Sequence, residues 1–323
     1  MSTAVTPEGI LKELTQLWRS LGESDENGVL RACAMTLIMA ADEEEEAAAL
    51  GEMIAEIMHA HPSRAIVLRI RNGNDPLLES NVFAQCWMPF GKRQQICCEQ
   101  IELKASEGSL KDLPRLVHAL MAPDLPVVLV CRSPHLFSSW AFQPLLAIAG
   151  TTIVDSRRSS TPASMLQHIT NLRTVGHQIR DLAWTAVTRW RESVACVFED
   201  GEILARLKDI GQIAITHAEG GPSTQAWYLG AWLARHIGSQ ADVRFWSGAG
   251  TEAIQSVEMT GPGISLSFSR AAAALHLMTN GVVGSVPFTL DSDFELMREE
   301  LAILGRDPVY EQVLPRAIAF TPR

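Results

Sequence analysis

The chain has 323 residues, of which 47% are hydrophobic and 20% charged, a balance that supports a packed core and excludes general disorder. Lys and Arg number 27 against 37 Asp and Glu, a formal net charge of −10, so the surface as a whole repels phosphate backbones and anionic lipid. No run of Lys or Arg reverses this locally, and neither a nucleic-acid nor a membrane role is expected.

No apolar stretch reaches the ~18–20 residues that span a bilayer, and residues 1–9 lack a secretion-signal pattern. Cys33, Cys86, Cys97, Cys98, Cys131 and Cys196 show neither CxxC nor zinc spacing. They predict a reduced, cytoplasmic protein without a metal.

An amphipathic segment with Ile10, Leu14, Leu17 and Leu21 leads the chain. The near-continuous apolar run Val29–Ala41 predicts a strand buried on both faces. Asp42 with Glu45 three positions on reads as a capping box, starting a helix that carries Leu50, Ile54, Ile57 and Met58 up to Pro62. Ala65–Ile70 predicts a buried strand, Cys97–Leu103 a half-covered or edge strand, Leu110–Met121 a helix and Val127–Cys131 another buried strand. A short helix over Trp140–Ile148 and a strand over Thr151–Val154 follow. Ser156–Pro162, polar and ended by proline, predicts a linker. Ala163–Phe198 reads as one long helix. Strands are expected at Gln212–Thr216, Val243–Trp246, Ile254–Met259, Ile264–Ser269 and Ala273–Met278, with a helix over Thr224–Ile237 and a helical tail after Asp293. The alternation predicts an α/β protein in two domains, 1–160 and 161–323. The first has a mostly parallel sheet with helices on both faces; the second is a smaller α/β domain.

Chemistry is sparse. The first strand-to-helix turn reads Ala40-Ala41-Asp42-Glu43-Glu44-Glu45-Glu46. A dinucleotide or phosphate loop needs glycine there so that backbone N–H groups can approach the anion; this turn offers carboxylates instead. Arg64, between a helix and a strand, could grip a carboxylate or phosphate, or bond helix-end carbonyls. Glu99 shares a face with Cys97, Ile101 and Leu103, so it needs a cation, and Arg31 is the expected partner. The tryptophans Trp184 and Trp190, with Arg189 and Arg191, form either a docking face or part of the core. Gly220-Gly221 leading into Ser223-Thr224 is the one glycine-rich loop placed for an anion, with Arg270 or Arg191 as clamp. No catalytic constellation, cofactor loop or metal cluster is evident, and no enzyme activity is expected.

Several segments occur together in a fixed order: His61-Pro62-Ser63-Arg64, Cys98-Glu99-Gln100-Ile101, Asp124-Leu125-Pro126-Val127, Ile153-Val154-Asp155-Ser156, Asp181-Leu182-Ala183-Trp184-Thr185, Trp190-Arg191-Glu192, Leu229-Gly230-Ala231-Trp232 and Gly305-Arg306-Asp307-Pro308-Val309-Tyr310-Glu311. In these the chain resembles the OpcA family, the glucose-6-phosphate dehydrogenase assembly proteins. The resemblance implies a non-catalytic partner that assembles or allosterically activates that dehydrogenase in the oxidative pentose phosphate pathway. It supplies no catalytic residues. A sugar-phosphate sensor or enzyme using the 220–224 helix start is the alternative.

Overall fold

A computed structural model describes residues 5–24, 29–89, 95–238, 241–303 and 305–322. The chain divides into two compact units: residues 1–158 with 172–180, and residues 159–171 with 181–323.

Unit 1 begins with α1 (Pro7–Ser24), β1 (Val29–Arg31) and β2 (Met35–Asp42), followed by α2 (Ala47–Ala60) and β3 (Ser63–Arg71). β4 (Leu78–Trp87) and β5 (Gln95–Ser106) precede α3 (Leu113–Leu120), β6 (Val127–Cys131), α4 (Pro134–Ser138), α5 (Gln143–Ile148) and β7 (Thr151–Val154). The chain then passes through unit 2 for most of α6 (Pro162–Thr174) and returns to unit 1 at residue 172, reaching β8 (Ile179–Asp181). The sheet order is β1-β5-β3-β2-β6-β7-β8. β2 lies parallel to both β3 and β6, β3 parallel to β5, and β6 parallel to β7. The continuous apolar runs follow from this: Leu37–Ala41 and Ala65–Leu68 are buried on both faces.

Three expectations need correction here. The Val29–Ala41 run is two strands, because the chain breaks pairing at Ala32–Ala34. Asp42 is still paired with Ile70 in the sheet, so the helix starts five residues later with no side-chain cap. β5 is not an edge. β4 pairs antiparallel along it, a strand whose apolar and polar residues do not alternate cleanly enough to be read.

That register sets Cys86 opposite Cys97, and the two form a disulfide; the expectation of wholly reduced cysteines fails at this pair. Cys98 faces the other way and is buried, as is Cys131. Burial pushes the Cys98 thiol up to about 11 and the Cys131 thiol to about 12, so neither is a reactive thiolate.

Unit 2 has α7 (Leu182–Thr185), α8 (Thr188–Val197), α9 (Gly201–Ala205), β9 (Gln212–His217) and α10 (Thr224–Ile237). Next come β10 (Asp242–Ser247), β11 (Ser256–Gly261), β12 (Ile264–Ala271), β13 (Ala274–Thr279), β14 (Val282–Pro287), α11 (Asp293–Ala302) and α12 (Pro308–Ala319). Its six-stranded sheet runs β10-β9-β11-β12-β13-β14. β9 and β10 are parallel and the rest antiparallel. The single long helix expected over Ala163–Phe198 is instead α6, β8, α7 and α8. Gly176, at φ 102°, breaks it. Asp181 then caps α7, accepting from Ala183 N–H at 3.0 Å. Ala183, Val187, Trp190, Val194 and Val197 fall on one stripe at helical spacing; the first four are buried and Val197 is half-buried.

Candidate functional site

In open α/β sheets, ligands bind outside the carboxyl ends of the strands where the strand order reverses. In unit 1 that point lies between β2 and β6, and the chain fills it. Arg132, directly after β6 and only 5% exposed, donates from Nε to Glu45 Oε1 at 2.7 Å, with Nη2 at 2.6 Å from the same oxygen. Arg158 approaches that oxygen at 3.3 Å. Arg69 donates from Nη2 to the carbonyls of Glu43 and Glu45, at 2.5 and 2.6 Å, fixing the turn. Beside them, Arg157 clasps buried Asp155 through two 2.7 Å bonds. The predicted linker therefore starts as an ordered turn, because Asp155 anchors both arginines that follow it.

A carboxylate of the chain thus occupies the position at the strand ends that an anionic ligand takes in sheets of this order. Glu45→Ala is expected to lower the stability of unit 1 by about 3 kcal/mol, since it removes the carboxylate paired with the buried Arg132 guanidinium. Arg132→Met, which removes the buried charge itself, should cost less. Added phosphate should raise the melting temperature of Glu45→Ala and leave the parent chain unmoved. Equal melting curves for the two variants would show that burial of Arg132 is not the governing term.

The Glu99 network is the second polar centre of unit 1. Glu99, 3% exposed, accepts from Arg64 Nε on Oε2 at 2.6 Å, while Arg31 Nη2 lies 2.6 Å from Oε1. Trp18 Nε1 donates to that oxygen at 2.5 Å. The expected Arg31 partnership is present, and Arg64 adds to it. Arg64 also meets a helix-end carbonyl, as one of its two readings anticipated, but that of α3: Nη1 donates to Leu120 O at 2.8 Å.

In unit 2 the sequence-predicted aromatics form a buried cluster. Trp184 and Trp190 are 3% and 2% exposed. Trp190 packs edge-on against Phe288, with centroids 5.1 Å apart. Trp184 Nε1 donates to Asp307 Oδ2 at 2.8 Å, and Asp307 Oδ1 caps α12 by accepting from the N–H groups of Val309 and Tyr310. The Arg191 guanidinium carbon lies 3.7 Å from the Trp184 ring centroid. Arg191 Nη2 donates to Thr188 Oγ1 at 2.7 Å, and its buried Nε has no partner among the described residues. Burial lowers the Arg191 pKa, and burial raises that of Glu299, which accepts from Thr188 Oγ1 at 2.9 Å.

Behind Trp184, Tyr228 donates to Asp181 Oδ2 at 2.9 Å and lies 3.3 Å from the Tyr310 hydroxyl. Burial holds Tyr228 well above its ordinary pKa, with Asp181 adding to the effect. Thr185 donates to Glu300 at 2.6 Å. The arrangement fastens α7, α10, α11 and α12 to one another. Tyr228 and Glu300 escaped sequence reading, since each stands alone in its segment with nothing to mark a distant partner.

The 220–224 turn has the predicted form. Gly220 and Gly221 take φ of 94° and 110°, and Ser223 caps α10 by accepting from Ala226 N–H at 3.2 Å. Thr224 is buried. Arg270, however, pairs with Glu252, and Arg191 stacks on Trp184, so both proposed clamps are engaged elsewhere. Among the described residues, no group of three His, Cys, Asp or Glu could hold a metal ion. No described helix is long and apolar enough to cross a membrane.

Two family models match in tandem. One, described as the glucose-6-phosphate dehydrogenase subunit N-terminal domain, covers residues 54–171, and the corresponding C-terminal domain covers residues 177–314. The chain belongs to the OpcA family. The OxPP cycle protein OpcA of Nostoc punctiforme is 30% identical over 185 residues, 56% of this chain and 39% of that protein. Its namesake in Synechocystis sp. is 30% identical over 191 residues, 58% and 40% of the two chains. The chain therefore aligns with about two-fifths of the length of these OpcA proteins. Among solved structures, biliverdin reductase from Synechocystis sp. PCC 6803, in complex with biliverdin and NADP+, has a TM-score of 0.47 at 10% identity, covering 88% of this chain and 96% of that one. Aldose-aldose oxidoreductase from Caulobacter crescentus, complexed with glycerol, has a TM-score of 0.46 at 10% identity, with 90% and 95% covered. Likeness at this level carries no argument about activity.

Proposed function

We propose that this OpcA-family chain is a non-catalytic partner of glucose-6-phosphate dehydrogenase, acting in the cytoplasm to assemble and allosterically activate that enzyme. The observation that carries the reading is the tandem match, over residues 54–171 and 177–314, to models described as the N-terminal and C-terminal domains of a glucose-6-phosphate dehydrogenase subunit. The internal pairing of Glu45 with Arg132 and Arg158 supports it, because the ligand crevice of the parallel sheet is taken by the chain's own carboxylate. Activation would follow from tighter binding to one conformational or oligomeric state of the dehydrogenase, since only differential affinity shifts such an equilibrium. Within this reading Trp184 and Trp190 of unit 2 shape a partner-binding surface of that unit from beneath, with the half-buried Arg191 placed to touch a partner, and Arg64 would serve separately within unit 1.

Titrating the chain into the cognate dehydrogenase, with initial rates and light scattering read together, tests the reading. A rise in rate or a change in oligomer mass that saturates with added chain is expected. No change in either at saturation overturns it. Calorimetry with glucose 6-phosphate and the chain alone should show no heat. Heat abolished by Gly221→Asp would favour a sugar-phosphate sensor instead.

A further inference from the structure

The six-stranded sheet of unit 2 ends in two edge strands that differ. β10 carries charge, with Arg244 and Asp242 paired at 2.7 Å. β14 carries none. All six of its residues are exposed, Val282 and Val283 each by 73%. The ribbon 274–287 holds no Asp, Glu, Lys or Arg. Charges, prolines and bulges are the usual guards of a sheet edge, and the single guard of this kind on β14 is Pro287 at its end.

The free backbone groups follow from the register. Phe288 N–H donates to Ala273 O at 2.8 Å. With Leu275 opposite Val286, Leu277 opposite Gly284 and Thr279 opposite Val282, these become the hydrogen-bonded pairs of the antiparallel ladder. Val283 and Ser285 therefore turn their N–H and C=O groups outward. Gly284 lies between them. A Cβ there would meet Leu277 Cβ at 4.0 Å, an ordinary contact, so nothing in its own chain requires glycine. An interior strand glycine otherwise weakens a strand, and often marks the approach of another backbone.

We propose that β14 is the interface of a two-fold homodimer, in which it pairs antiparallel with β14 of a second copy about an axis at Gly284. In this register Val282 stands opposite Val286 of the partner subunit, and Val283 opposite Ser285 of the partner subunit. The order Val-Val-Gly-Ser-Val is thus complementary to its own reverse. The outward groups of Val283 and Ser285 supply about four backbone hydrogen bonds. A two-fold contact sets each charge near its own copy, so a chain of net charge −10 self-associates most readily through an uncharged edge. One strand pair buries less than the ~800 Å² per partner of a standard interface, which makes the dimer weak and concentration-dependent.

Sedimentation velocity of the full chain from about 1 to about 100 µM tests this, the range in which a micromolar contact titrates. The expected result is a monomer converting to a dimer. Val283→Lys and Ser285→Glu should each weaken the dimer at least about tenfold without moving the melting temperature, both sites being exposed. Their equimolar mixture should recover it, because the introduced ammonium and carboxylate face each other only in this register. A parent chain that stays monomeric throughout overturns the proposal, as does dimerisation unaltered by both substitutions. A mixture that remains monomeric overturns the register. If both variants dimerise normally but no longer bind the dehydrogenase, the edge serves that enzyme and the proposal also fails.

Discussion

Glu99→Gln should lower the stability of unit 1 by about 3–5 kcal/mol, the usual cost of breaking a buried ion pair from one side. The carboxylate is 3% exposed and receives Arg64, Arg31 and Trp18 together. Exchanging one oxygen for an NH2 group points a donor at donors. The Arg64 side chain, 9% exposed, is then left with an uncompensated charge. Arg31 provides the contrast. Its side chain is 50% exposed, so Arg31→Ala should cost no more than about 1 kcal/mol despite an equally short contact. Urea denaturation followed by hydrogen exchange in β3 and β5 reads both values and assigns them to unit 1. Similar losses for the two variants would mean that burial does not set the worth of this network.

Trp184→Ala should cost unit 2 about 3–5 kcal/mol. The indole is a shared wall: Arg191 stacks on it, Tyr228 and Tyr310 meet it at centroid distances of 6.0 and 5.9 Å, and its N–H holds Asp307. Removing it leaves a cavity, and Asp307 keeps only its bonds to the start of α12. Trp184→Phe should recover most of the packing but not the Asp307 bond, leaving a loss of about 1–2 kcal/mol. Trp140→Ala is the control, because that indole is 84% exposed and its removal should be close to neutral. If the Phe variant were as damaged as the Ala variant, the hydrogen bond rather than the packing would dominate the cluster.

Much of the fold was legible because burial writes itself into runs. Leu37–Ala41, Ala65–Leu68 and Val127–Cys131 are continuous apolar segments, and each belongs to a central parallel strand. The α10 helix was legible at its start, where Ser223 and Thr224 follow the Gly-Gly turn and Ser223 caps the helix. β4 and β14 were missed for a shared reason. Each has at most one covered face, so neither displays a core pattern, and β14 displays none at all. The long helix misread across residues 163–198 shows the limit of periodicity: a stripe at helical spacing survives a break when the pieces pack against the same core.

The polar centres were legible by half. Glu99 announced itself as a carboxylate among apolar neighbours, and its partner Arg31 stood midway along an otherwise apolar run; Arg64, on the paired strand β3, was not read as a second partner. Glu45 did not, because four other acids surround it in sequence, and only the fold selects which one Arg132 reaches. The Cys86–Cys97 bond was illegible for a related reason, since it depends on the register of a strand that sequence did not reveal.

The division of the chain has a consequence for how it is made. Unit 1 recovers its last segment, residues 172–180, only after a stretch belonging to unit 2 has been synthesised. During translation the parallel sheet stays one strand short until residue 180 has left the ribosome. A fragment ended at the first crossing, near residue 158, would expose β7 as a raw sheet border. Such a fragment should be recovered from cells as inclusion bodies, whereas one ended after residue 180 should not.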